Sequence, residues 1–291
     1  VGAGIPPAGA ELSALHPPLA CAAFNFSYAE LERAPQGPFG VTSGSENMLY
    51  RGDGFVAAPP PIFSAAACCF ARDISFPTAW YDYDHSDAEW SRLAAAGRRQ
   101  PWRVRRERAF FRGSIYWYRR HGRTRAFAQS MATPHALDAD WYDAIDTSAL
   151  EEDNANIFGN VSEAAGYKYL LSLEGHSYWS FRLRHLLHLG SAVLHQQLPC
   201  HEFWHAALQP YEHYIPISRD LADLRAQLRY SRVHDAAAAR MAARARRLAA
   251  RILSQRSVAD YAREVLVAYA GLLSFEVRLH PEAVELPLVG D

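Results

Sequence analysis

The chain has 291 residues, with 30 basic and 31 acidic side chains, a formal charge of −1, 49% apolar residues and 21% charged ones. That length can bury a large core in one or two domains, and the near-neutral balance argues against a general polyanion binder, so nucleic acid is not an expected partner. No apolar run reaches the ~18 to 20 residues a membrane span needs. Four cysteines without a C-x-x-C pair are too few for a disulfide scaffold but allow one bridge.

Residues 1–19 are rich in Gly, Pro and Ala without periodicity and enter a domain already under way, and no leader of the secretory kind is visible at the start. Residues 20–27 read as a short buried strand, and 34–62 as loop set by Pro and Gly. The sequons at Asn25 and Asn160 are acceptors only in a secretory compartment. Ile62 to Arg72 suits a strand or buried turn, closed by Asp73-Ile74-Ser75-Phe76-Pro77. Asp82 and Asp84 sit in an aromatic, acidic loop. Asp87 to Ala96 predicts a helix with Trp90 and Leu93 inward and a stop at Gly97.

Between residues 98 and 125 arginines interleave with aromatic residues. An apolar strand around Phe110 and Phe111, delivering Arg112-Gly113-Ser114 into a tight turn, suits one phosphate-type site with solvated arginines around it. Residues 136–140 read as a strand end. The most organised stretch is 167–196: an apolar run to Glu174-Gly175, a turn through His176-Ser177-Tyr178-Trp179-Ser180, a helix opening at Phe181-Arg182, a stop at Gly190 and a further strand. A helix start followed at once by an arginine, with free amide N–H groups, is suited to an anion. Tyr214–Ile217 predicts another strand. Asp220 to His234 predicts a helix opened by an Asp-x-x-Asp box, 235–255 an Ala/Arg helix, and Ser257-Val258-Ala259-Asp260 the cap of a last one.

Several of these segments together carry a resemblance. YKYL at 167–170, Glu174-Gly175, WSFRLRHLL at 179–187 and GSAVL at 190–194 are similar to the nucleotide-sugar site of the Rumi-type protein O-glucosyltransferases, glycosyltransferase family 90. Phe110–Ser114, Glu202-Phe203 leading to Leu208–Ile217, and Asp220–Leu224 agree in order, and weaker similarity reaches Pro61–Ser64 and Asp73-Ile74. The resemblance implies an α/β protein of GT-B type, two Rossmann-like domains facing a cleft. The first would cover 1–104 and be incomplete, the second 105–255, with a helix at 256–275 returning to the first.

The implied activity is inverting, metal-independent transfer of glucose or xylose from a UDP-sugar to a hydroxyl of a protein or glycan, in the lumen of the endoplasmic reticulum or Golgi. No cofactor is expected beyond the donor. Donor-binding residues would be Arg112, Ser114, Ser180, Phe181, Arg182 and Glu202, with Arg112, Ser114, Ser180 and Arg182 on the diphosphate and Glu202 accepting ribose hydroxyls. The family places its catalytic Asp shortly before a position matching Asn25, where this chain has Pro17-Pro18-Leu19-Ala20-Cys21 and no carboxylate. Asp73 is the substitute base, with Asp82 and Asp84 nearby. A relative that binds nucleotide sugar without catalysis is the alternative.

The rival chemistry is His201-Glu202-Phe203-Trp204-His205, which fits the HExxH of zinc peptidases. That signature needs both histidines on one face of a helix. Pro199 and Pro210 leave room for only about two to three turns, so a helical zinc site is not expected.

Overall fold

The computed structural model describes residues 63–68, 74–77, 86–113, 122–141, 161–175 and 179–273. Its centre is a five-stranded, all-parallel sheet made of β4 (Arg106–Gly113), β5 (Leu137–Trp141), β6 (Tyr167–Ser172), β7 (Ala192–Gln196) and β9 (Ile215–Ile217), in the order β5-β4-β6-β7-β9. Two short pairs lie outside it. β1 (Phe63–Ser64) runs parallel to β3 (Ile74–Ser75), and β2 (Ala67–Cys68) runs antiparallel to β8 (Cys200–His201).

The parallel strands read as near-continuous apolar runs because both faces are covered. Alternation divides them. Phe110, Leu170 and Val193 face α1 (Ser86–Arg99), α4 (Arg182–His188), the later turns of α6 (Asp235–Ile252) and α7 (Gln255–Ala270). Phe111, Tyr169, Leu171 and Leu194 face α2 (Gly122–Ala132), α5 (Leu224–Val233) and the first turns of α6. A short α3 (Val161–Ala165) leads into β6. This is a three-layer, doubly wound arrangement.

The strand–turn–helix–turn–strand reading of 167–196 holds. α4 starts at Arg182, and Gly190 adopts φ 68° just past its end, the left-handed position where glycine is favoured. Three local readings are corrected. α1 does not stop at Gly97 but continues to Arg99; Gly97 is there because a Cβ would stand 2.1 Å from the Leu189 carbonyl oxygen, so the glycine permits a close crossing of α1 over the end of α4. The Asp220/Asp223 pair does not cap α5. Asp223 Oδ1 accepts from the Ser218 N–H at 2.8 Å and Asp220 Oδ1 from Ala222, so both carboxylates hold the turn before the helix. The last helix is capped by Ser254, whose hydroxyl accepts from the Ser257 N–H, rather than by Ser257.

α7 reaches β1 and β3. The Tyr261 hydroxyl donates to the Ser75 carbonyl at 3.0 Å, and the Tyr269 ring meets Phe63 edge-on at 5.0 Å. Cys68 and Cys200, opposite each other in the β2–β8 ladder, form a disulfide closing a 132-residue separation. Among the described residues no helix is long and apolar enough to cross a membrane.

Candidate functional site

In an open α/β sheet the binding crevice lies beyond the strand C-termini where the strand order reverses. Here the chain leaves β4 to one side for β5 and then crosses to β6 on the other, so the crevice opens between the ends of β4 and β6. Arg112 and Gly113 close β4, and Glu174-Gly175 follows β6.

Arg182 lies across this opening. Its side chain is buried, donates from Nη1 to the Arg112 carbonyl, and rests its guanidinium 4.7 Å from the Phe111 ring centroid. Gly113 makes room for it, since a Cβ there would stand 2.8 Å from Arg182 Nη2. The Arg182 backbone N–H donates to Ser180 Oγ at 3.3 Å. Phe181 packs edge-on against Trp179 at 4.3 Å and carries the Arg184 guanidinium on its ring at 4.7 Å. Arg182 and Arg184 therefore serve different neighbours, as their spacing on the helix requires. α4 is only seven residues long, so the arginines rather than the helix dipole supply most of its positive charge.

Arg112 is drawn sideways. It donates from Nη1 to Asp138 Oδ1 at 2.9 Å, stacks over Phe110 at 4.7 Å, and has Glu163 3.7 Å from Nη2. Asp138 also accepts from the Tyr167 hydroxyl at 2.6 Å. Burial pushes the Asp138 carboxyl up, but the hydrogen bonds from Tyr167 and Arg112 outweigh it and hold the group below the usual carboxylate range.

In the sequence Glu174 stood as the end of an apolar run and within the family resemblance, with no role assigned to it. Its carboxylate accepts the first N–H of α2, Gly122, at 2.6 Å, its carbonyl accepts from Arg123 Nε at 2.8 Å, and its N–H donates to Gln196 Oε1 at 2.8 Å. The helix start beside β4, the usual phosphate seat of a doubly wound sheet, is thus filled by a side chain of the protein. No spacing rule links residues 52 apart in sequence, so nothing local revealed it.

Glu202 is buried at 2% exposure and accepts from the Trp204 indole N–H at 3.1 Å. It follows β8, which the disulfide fixes to β2. The pentapeptide around it is not helical: His201 belongs to β8 and His205 opens a 3₁₀ turn, with their Nδ1 atoms 3.3 Å apart. His195 lies near His205, and burial followed by the neighbouring His201 pushes its imidazole down to about 3. Among the described residues no three His, Cys, Asp or Glu side chains are grouped to hold a metal ion. Asp73, Asp82, Asp84 and Ser114 lie outside the described residues. The structure brings Arg112, Ser180 and Arg182 to one crevice and places Glu202 in the turn after β8.

Comparison with known proteins gives the chain's family. Residues 47–288 match the family described as Glycosyl transferase family 90. The chain belongs to that family. It is 31% identical over 264 residues to Protein O-glucosyltransferase 3 of Homo sapiens, covering 87% of this chain and 51% of that protein. Protein O-glucosyltransferase 1 of Rattus norvegicus is 27% identical over 237 residues, 75% of this chain and 58% of its own length. O-glucosyltransferase rumi of Drosophila pseudoobscura pseudoobscura is 28% identical over 249 residues, 79% and 59% respectively. The chain spans about half the length of the curated relatives it matches.

Proposed function

We propose that this family 90 chain is the nucleotide-sugar side of a glycosyltransferase that moves glucose or xylose from a UDP-sugar to a hydroxyl of a protein or glycan. The observation that carries the reading is Arg182, buried across the C-terminal end of β4 at the switch point of the sheet. Bond breaking between the anomeric carbon and the diphosphate leaves negative charge on the departing oxygen, and a prepositioned guanidinium stabilises that charge more than it does the ground state. Arg182 is the stronger candidate of the two arginines because Arg112 already faces Asp138. Ser180 and Phe181 set the turn from which Arg182 projects. Ser114, following Arg112 and Gly113, is a further diphosphate ligand in this reading. The Trp204 indole orients the Glu202 carboxylate to accept ribose hydroxyls.

The acceptor hydroxyl would lose its proton to a carboxylate, for which Asp73, between β2 and β3, is the candidate. Attack on the face opposite the diphosphate forms the new C–O bond and inverts the anomeric centre. Arginines doing the work of charge stabilisation make the reaction metal-independent. A second Rossmann-like domain facing this sheet would complete a GT-B cleft, with α7 against β1 and β3 as the return helix. The Cys68–Cys200 bridge suits the lumen of the secretory pathway.

Calorimetry with UDP, with and without chelator, tests the donor site, and sugar transfer to a serine-bearing peptide or a glycan tests the reaction. Chelator-insensitive UDP binding with transfer is expected. Failure to bind UDP overturns the proposal. Binding without transfer favours a catalytically silent relative, the reading that the carboxylate-free stretch Pro17–Cys21 supports.

A further inference from the structure

The formal charge of −1 is an average over a segregated chain. Between Leu224 and Ile252, the span of α5 and α6, stand eight arginines and one aspartate. That aspartate, Asp235, is engaged, accepting from Lys168 Nζ at 2.8 Å and from the Trp102 indole. On α6, Arg240, Arg244, Arg247 and Arg251 recur at i, i+4, i+7 and i+11. That spacing makes one row about 16 Å long at ~1.5 Å rise per residue. The adjoining side of the helix, about 100° round from the row, carries Met241, Ala245, Leu248 and Ile252 into the core. Arg240, Arg247 and Arg251 are exposed and Arg244 is half-buried.

Among the described residues no carboxylate pairs with Arg240, Arg244, Arg246 or Arg247. On the neighbouring α7, Asp260 and Glu264 sit against Arg256 and Arg263. Glu212 presents its carbonyl to Arg244 Nε at 3.1 Å, while its carboxylate lies 3.9 Å from His213. α5 contributes three more arginines and no acid. Burial, and then the positive charges of Arg98 on α1 and Arg247, lower the Arg246 guanidinium from its ordinary value. Same-sign charges held this closely raise the energy of the free protein, and an anion spanning them relieves it.

We infer that this face of α6 binds a linear anionic polysaccharide of the sulfated or uronic acid class. The row is one-dimensional, matching a chain rather than a single ion, and a guanidinium grips sulfate or carboxylate oxygens in pairs. A membrane surface fits less well: a helix lying in a bilayer interface needs bulky apolar side chains beside its basic ones, and none of the large exposed apolar residues belongs to α6, whose solvent side offers alanines. The Cys68–Cys200 disulfide suits oxidising compartments, where polysaccharides rather than nucleic acids are the abundant polyanions. Arg246 approaches Gly190, beyond the end of α4, whereas Arg182 opens the start of that helix. α6 thus meets α4 at the end away from the proposed donor crevice, and failure of this inference would leave the donor reading intact.

Surface plasmon resonance of the purified chain on an immobilised sulfated glycosaminoglycan tests this, with dextran, phosphatidylserine vesicles and single-stranded RNA as comparators. The wild type should bind the glycosaminoglycan and not dextran, with affinity falling roughly 10- to 100-fold between about 50 and about 200 mM salt as counter-ions are displaced. R240Q/R247Q should lose about tenfold or more at an unchanged melting temperature and unchanged UDP binding. R256Q/R263Q, which removes the same charge from α7, should stay within about twofold. No glycosaminoglycan binding at low salt overturns the inference. So does tighter binding to vesicles or RNA, and so do equal losses in the two double variants, which would show net charge rather than a built row.

Discussion

Arg105, just before β4, and Arg182, beyond its other end, are equally buried at 6% exposure, yet their partners differ. Arg105 donates to the carbonyls of Gly97, Leu189 and Gln100 and to the Ser191 hydroxyl, and burial, with Arg246 nearby, lowers its pKa to about 10. Arg182 donates to the carbonyl of Arg112 and lies on an aromatic face beside a glycine that clears space for it. The first is wrapped by the backbone it holds together; the second is presented at a strand end. Burial alone does not distinguish these two arginines; their surroundings do.

Four experiments sharpen or break that contrast. The largest effect is expected from replacing both Cys68 and Cys200 with serine. Releasing a 132-residue loop should lower unfolding free energy by about 5 kcal/mol in the loop-entropy account, read by denaturant titration. UDP affinity should fall with it because β8 leads to Glu202, and an unchanged midpoint would mean that the bridge does not restrain this end of the sheet. Arg105→Met should cost about 4 kcal/mol of stability by orphaning several buried acceptors, while the folded variant binds UDP as the wild type does. A loss of UDP affinity at constant stability would reverse the assignments of the two arginines.

Arg182→Ala should weaken UDP binding by about 2 to 5 kcal/mol in calorimetry, and Arg182→Lys should recover only part of this, since a point charge replaces a planar fork. Arg184→Ala should matter much less; equal losses would point to general electrostatics. The smallest effect concerns His188, stacked 4.5 Å from Trp90 with its imidazole held by burial at about 4. The unfolded chain takes up this proton below the ordinary imidazole value of about 6.5, whereas the folded protein does not until about pH 4. Stability should therefore be full above that upper value and fall as pH drops, by up to about 3 kcal/mol at pH 4. His188→Gln should flatten the slope.

The core unit from Tyr167 to Gln196 was legible because its signals are local: an apolar run, a glycine stop and a second run. Gly97 was misread for the opposite reason, since its purpose is a carbonyl that arrives from Leu189. The Asp220 and Asp223 carboxylates had the right residue types for a cap, but Leu221 at φ 58° turns the chain and directs them to Ser218 and Ala222 instead. In the arginine-rich stretch, composition could not tell Arg105 from Arg112, because the Asp138 that claims Arg112 sits on the adjacent strand. The same averaging concealed the α6 row behind a neutral total. The reading of Arg182 rested on local signals, a helix start and a charge within a few residues, and the structure places that side chain buried beside the end of β4.

α6 enters both cores, its first turns with Ala238 and Met241 under one face of the sheet and its later turns with Leu248 and Ile252 under the other. A helix shared in this way acts as a rivet. Neither layer can peel away while the other keeps its packing, so local loosening on one side is transmitted to the opposite side, and the two faces open together as one cooperative unit.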